Sequence, residues 1–286
     1  MSNLRTEQEP PPAVPGRPSA RIVGPWIWGQ LREPYVQLLA SQLLTGGVAM
    51  AANVLMVRAM HPSGRGEVAL MLQVVYLATQ VLLLGTERSF VATYHDVEPG
   101  AGVRAYARLL VIPCSFWLAA AAVFVVVAPD RYNPGPGIVA MLVCYAIVES
   151  SALATRSIAV AAGRVHEYMI SRVIEAMLQL VTLAGLFAAG VSHPPVWILA
   201  YLFSGVLPTV VYVIRWLRLP ATRPAPVSSA LNRHVRNEGL TLFPAALSNM
   251  AMLRADRLAL PALASTSALG LYASVATMTE LLAWPL

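Results

Sequence analysis

Of the 286 residues, 57% are hydrophobic and only 12% are charged, about half the charged share of a soluble domain, and the mean hydropathy is +0.62. That composition excludes a water-soluble globule and makes the bilayer the natural solvent. All 20 basic residues are arginine and the net charge is +6; membrane proteins gather such an excess in cytoplasmic loops, so the charge does not imply nucleic acid.

Residues 1–34 are rich in proline, carry mixed charge and lack the apolar core of a signal peptide, so they read as a disordered cytoplasmic tail. The Ile22–Leu31 stretch, with Trp26 and Trp28, is expected to rest on the membrane surface. Crossing the hydrocarbon takes roughly 20 helical residues. Stretches of about that size follow at Val36–Val57, Val68–Leu84, Ala105–Val127, Ile138–Val160, Met169–Gly190, Val196–Leu217 and Leu240–Leu260, with a final one at Leu269–Leu286. Arginines gather in alternate connections, at Arg88, Arg104 and Arg108, at Arg164, and from Arg215 to Arg236. The other connections hold only Arg58, Arg65 and Arg131, with Arg257 near a helix end. This bias predicts a cytoplasmic N-terminus in a multi-pass inner or plasma membrane protein.

The predicted fold is therefore an all-α polytopic bundle. Residues 35–219 form a six-helix lobe, 220–238 a cytoplasmic linker, and 239–286 the first two helices of a second lobe. The second unit reads as a repeat of the first. Shifted by 204 residues, Ser63 meets Ser267, Gly66 meets Gly270 and Ala69 meets Ala273. Because the sequence stops within an apolar span, the expectation is a fragment of a longer two-lobed protein.

Ionisable side chains at bilayer depth cost roughly 2.5–3.5 kcal/mol each, so they mark where function should be sought. Glu149 and Arg156 share one face of the fourth predicted helix, and Arg172 and Glu175 one face of the fifth. Both arginines lie eight residues from the turn at Arg164, about 12 Å along each helix. The set fits a cationic lining for an anionic substrate. It fits equally well ion pairs that hold the two helices together, with Arg172 also able to snorkel to the headgroups. Polar stripes at Gln42, Thr45, Gly46, Ala49 and Asn53 on the first helix, and at Thr241, Ala245, Ser248, Asn249, Met252 and Asp256 on the seventh, suit a hydrated cavity or a tight helix contact. Arg254 adds a cation beside the second stripe. Pro244 and the Gly46-Gly47 pair are expected to bend their helices. Cys114 and Cys144 read as buried free thiols. The histidines fall in loops without metal-ligand spacing, and no phosphate loop or nucleophile elbow is present. Neither a cofactor nor a catalytic residue is expected.

Three segments resemble the multidrug/oligosaccharidyl-lipid/polysaccharide flippase superfamily, in its bacterial polysaccharide-exporter branch. They are Met60-His-Pro-Ser-Gly-Arg-Gly-Glu67, Leu84-Gly-Thr-Glu-Arg-Ser-Phe90, and Asp256-Arg-Leu-Ala-Leu260 followed by Leu269-Gly-Leu-Tyr-Ala-Ser-Val-Ala276. The resemblance implies a two-lobed bundle of 12 to 14 helices around a central cavity open alternately to each side. Its cargo would be a polyprenyl-diphosphate-linked glycan, held by a cavity arginine, with other polysaccharide-assembly proteins as partners. Glu149, Glu175 and Asp256 would be the candidates for ion coupling. Two alternatives stand beside it: a drug or peptidoglycan-precursor exporter of the same superfamily, and a membrane enzyme of glycan assembly. The enzyme would need a large outside loop, whereas the outside connections here are a few residues long.

Overall fold

The computed structural model describes residues 34–128, 134–220 and 228–283. The N-terminal tail, its tryptophan stretch, most of the proline-rich part of the linker and the last residues lie outside this set. All regular structure among the described residues is helical. The helices, in chain order, are α1 (Pro34–Leu83), α2 (Thr86–Thr93), α3 (Pro99–Val127), α4 (Pro136–Ala161), α5 (Val165–Ala188), α6 (Pro194–Arg218), α7 (Ser229–Leu263) and α8 (Thr266–Ala283). Prolines open α3, α4 and α6, where the missing N–H leaves no bond unmade. Gly163 at φ +67° and Gly190 at φ +67° end α4 and α5, a conformation glycine adopts without strain.

The protein is an all-α, multi-pass membrane protein. Among the described residues, five helical segments are long and apolar enough to cross a bilayer: Leu39–Leu83, Pro99–Val127, Pro136–Ala161, Val165–Ala188 and Pro194–Arg218. The most apolar of them, Pro99–Val127, is the least buried, with Val111, Ile112, Phe116 and Val126 all exposed. In water that order would be reversed; here it marks a lipid-facing surface.

Helix α1 is not one span but two. His61 breaks it at φ 58°, ψ 174°, leaving a first arm (residues 34–60) and a second (62–83). Arg65 Nε donates to Asn53 Oδ1 at 2.7 Å. Along a straight helix those residues would stand about 18 Å apart, so the arms turn back on each other. The short connection expected after the first predicted helix is thus reduced to a tight break at His61. The pair Gly46-Gly47 lies within the unbroken first arm, and α7 runs continuously through Pro244.

Two buried clusters hold the bundle. Ala52, Met56, Val68, Leu72, Tyr145, Leu183, Trp197 and Ile198 join both arms of α1 to α4, α5 and α6. Toward the other end, Phe90, Tyr94, Tyr106, Ile158 and Trp216 join α2, α3, α4 and α6.

Two seams fix α7 and α8 against α1 and α2. At the His61 end, a Cβ on Gly66 would fall 1.8 Å from the Thr266 carbonyl oxygen, and one on Gly270 would fall 1.9 Å from the Pro62 carbonyl oxygen. Thr266 follows Pro62 by the same 204 residues that separate Gly270 from Gly66. The contact is therefore reciprocal, as a two-fold relation between the arms requires, and Ala69 and Ala273 continue it. At the other end Gly85, at φ +71°, meets Gly239: a Cβ there would lie 2.5 Å from the Gly239 carbonyl oxygen. Ser89 Oγ donates to the Val235 carbonyl at 3.0 Å, and Tyr94 Oη donates to Asn232 Oδ1 at 2.6 Å. Residues 229–238, read from sequence as linker, are the first turns of α7. Ser228 Oγ caps them by accepting from Leu231 N at 3.1 Å, and Val235 and Gly239 are buried against α2.

Candidate functional site

Between the two seams lies a cavity of about 710 Å³. Its wall combines the middle of both α1 arms, α4, α5, α6, the Leu253–Arg257 stretch of α7 and Ala273 of α8.

The α4 and α5 wall carries a balanced set of charges. Glu149, Arg156, Arg172 and Glu175 all line the cavity. The Arg156 guanidinium bonds directly to Glu175 Oε2, and Arg172 Nη1 lies 3.8 Å from the same oxygen. The side chains of Arg156 and Glu175 are 11% and 15% exposed, that of Arg172 27%, so Arg156 is the arginine more committed to the interior. Both readings of this set coexist: the groups line the cavity and they pair across α4 and α5.

The α7 wall carries Arg254 and Arg257. Arg254 Nη1 stands 3.4 Å from Gln73 Oε1, and its guanidinium lies over the Tyr76 ring, 4.9 Å from the centroid. This cation–aromatic contact holds the charge inside the cavity, with no ion pair to it among the described residues. Tyr145, Tyr201 and Gln179 complete the wall. Tyr201 Oη points to Met56 Sδ at 3.9 Å.

Of the residues singled out from sequence, Thr45, Asn53, Glu149, Arg156, Arg172, Glu175 and Arg254 line the cavity. Gln42, Ser248, Asn249 and Asp256 do not, and all four are exposed. The α7 polar stripe falls on the wrong face for a physical reason. The seams bury Val235 and Gly239 at one end and Arg257 at the other. At 3.6 residues per turn this commits the Arg254–Arg257 edge to the cavity and turns Ser248, Asn249 and Asp256 outward. Asp256 instead bonds locally, accepting the Tyr272 hydroxyl. Cys144, expected to be buried, is exposed on α4, since the neighbouring Val143, Tyr145 and Ala146 take the inward positions.

Sequence reasoning missed Arg65, Gln73 and Tyr76 on the second arm of α1, and Arg257. The charge pattern assigns Arg65 to an outside connection. The signal was present: Arg65, Ala69, Leu72, Gln73 and Tyr76 follow the i, i+4, i+7, i+8, i+11 spacing of a single helix face, and all five line the cavity. Comparison of the chain with protein-family models, with curated proteins and with solved structures finds no match in any of the three.

Proposed function

We propose that the chain is a membrane transporter of the flippase type, moving a lipid-linked oligosaccharide across the bacterial inner membrane in cell-surface polysaccharide biosynthesis. One observation carries this reading. Inside a bundle of lipid-facing helices lies a cavity lined, among the described residues, by five arginines and two glutamates: Arg65, Arg156, Arg172, Arg254 and Arg257 against Glu149 and Glu175. A site for a drug cation would reverse that ratio. Guanidinium groups suit a diphosphate, whose oxygens accept paired, charge-assisted hydrogen bonds. A volume of about 710 Å³ falls in the range of small-ligand sites and suits a diphosphate with its first sugars. The polyprenyl tail would remain in lipid. Translocation of this kind makes and breaks no bond, so the cavity needs to bind, shield and release. The gathering of arginines in alternate connections supports a cytoplasmic N-terminus.

The test is accumulation of lipid-linked glycan on the cytoplasmic face of cells carrying each variant at equal expression. Arg156→Ala is expected to reduce export at least tenfold. It leaves Glu149 and Glu175 short of a counter-charge and turns the middle of the cavity repulsive to a diphosphate. Arg172→Ala, at a more exposed position, is expected to reduce it less. Normal export by Arg156→Ala would leave that residue a structural partner of Glu175 and remove it from transport.

A further inference from the structure

Toward its end, α6 buries one face and turns the other outward. Tyr212 and Trp216, four residues apart, are buried, and their rings meet edge to face at 5.8 Å. Trp216 Nε1 donates to Glu167 Oε2 on α5 at 2.7 Å, which fixes the rotation of the last turns. Val211, Ile214, Arg215 and Arg218 follow the i, i+3, i+4, i+7 spacing of the opposite face, and all four are exposed. With Leu219 they line a shallow groove of about 500 Å³. It shares no lining residue with the central cavity.

The groove is apolar along the span and cationic at the helix end. Val211 and Ile214 continue into the exposed Leu207 and Val210, while Arg215 and Arg218 occupy the last turn. Residues three apart are neighbours on a helix surface, so both guanidinium groups can reach one anion. Neither is closely paired within the chain. Arg215 Nη2 stands 3.9 Å from Glu167 Oε1, which already accepts from Arg164 at 2.8 Å, and the Arg215 side chain is 59% exposed. Arg218 enters no ion pair among the described residues. The sequence offers no acid nearby, since no Asp or Glu lies between Glu175 and Glu238. The helix dipole favours cations at this end, but it does not call for a groove with an apolar floor leading away from them.

We propose that this groove binds one anionic phospholipid of the surrounding membrane. Its phosphate sits on Arg215 and Arg218, and an acyl chain lies along Ile214 and Val211 toward Leu207. Charge complementarity selects the occupant. A headgroup without a cation of its own leaves its phosphate to paired, charge-assisted hydrogen bonds from both guanidinium groups. A choline or ethanolamine headgroup brings a competing cation against them. Arginines at a helix end reach the headgroup level, and basic pockets there recognise acidic lipids. This lipid is a resident ligand on the outer surface of the bundle, so the site stands whatever the central cavity carries.

The experiment is native mass spectrometry of the purified full chain, titrated in detergent with phosphatidylglycerol, phosphatidylethanolamine and phosphatidylcholine of identical acyl chains. The first phosphatidylglycerol is expected to bind at least fivefold tighter than either zwitterionic lipid. Arg215→Gln/Arg218→Gln is expected to abolish that preference, and Arg218→Gln alone to reduce it at least twofold. The single variant breaks no ion pair, so it carries the test if the double variant does not fold. Arg88→Gln/Arg236→Gln, which removes two exposed charges from α2 and α7, is expected to leave the preference within twofold. Glycerophosphoglycerol, the same headgroup without acyl chains, should not displace the lipid at hundredfold excess. Equal affinity for the three lipids overturns the proposal, as does an unchanged preference in folded Arg218→Gln or an equal loss in Arg88→Gln/Arg236→Gln. Displacement by the headgroup alone overturns it too, because the ligand is then a soluble phosphate ester rather than a lipid.

Discussion

Gly66→Ala is expected to destabilise the folded protein by about 3 kcal/mol, the upper range for forcing one extra methyl group into a packed contact. The added carbon would fall 1.8 Å from the Thr266 carbonyl oxygen and 2.7 Å from its carbon. Both are backbone atoms of α8, so no side-chain rotation can relieve the clash. Either the second arm of α1 or α8 must move as a whole. Gly270→Ala meets the reciprocal obstacle in the Pro62 carbonyl and should cost a similar amount. The double variant should cost less than the sum, since a single separation of the helices relieves both clashes. Gly47→Ala is the matched control. Nothing lies within 4 Å of its added carbon, so removal of a helix-interior glycine should gain about 0.5–1 kcal/mol. Thermal unfolding in detergent reads all four variants. Equal midpoints for Gly66→Ala and Gly47→Ala would contradict the seam.

The second large effect is expected at the Arg156–Glu175 pair. Removing one partner of a buried pair typically costs about 3–5 kcal/mol, because the other charge is left buried and uncompensated. The pair here lines a cavity and is slightly open, at 11% and 15% side-chain exposure, so the lower end of that range applies. Arg156→Gln strands Glu175 with only the more distant Arg172, 3.8 Å away, and with Glu149 nearby. Glu175→Gln strands two arginines at once. The double variant Arg156→Gln/Glu175→Gln replaces the ion pair by two neutral amides and is expected to recover most of the loss. A double-mutant cycle on the unfolding midpoints measures this directly. Additive losses in the double variant would show that the two side chains do not act as a pair.

Much of this architecture was legible in the sequence because it follows from apolar length and local punctuation. Pro136 and Pro194 open helices two residues before the apolar runs read at Ile138 and Val196, and Gly163 and Gly190 close α4 and α5. The glutamates and arginines of α4 and α5 were found by helical spacing alone, since both helices are single, unbroken spans with one inward face. The correspondence of Gly66 with Gly270 was visible as a register. That the two glycines touch was not, because contact between residues so far apart in the chain depends on how the bundle closes. Sequence reasoning failed where a face is chosen by tertiary anchoring. Helix α7 carries polar residues on more than one side, and only the Gly239 seam decides that Arg254 and Arg257 turn inward while Ser248 and Asn249 turn out. Arg65 was missed for a related reason. A connection compressed to the break at His61 places it one helical turn inside the second arm of α1, where a loop of ordinary length would have left it in water.

Changes at Arg156 should act largely through stability and through the charge of the cavity as a whole.

The central claim is that the cavity carries a diphosphate-bearing lipid across a bilayer. The most direct measurement uses the purified chain in proteoliposomes loaded with a fluorescent prenyl-diphosphate-linked sugar. Dithionite quenching reports the fraction still protected in the inner leaflet. Transport predicts protein-dependent loss of that protection for the diphosphate lipid, at least tenfold faster than in protein-free vesicles, and no acceleration for the same prenyl sugar without the diphosphate. A rate equal to that of empty vesicles, or equal acceleration of both lipids, would contradict it.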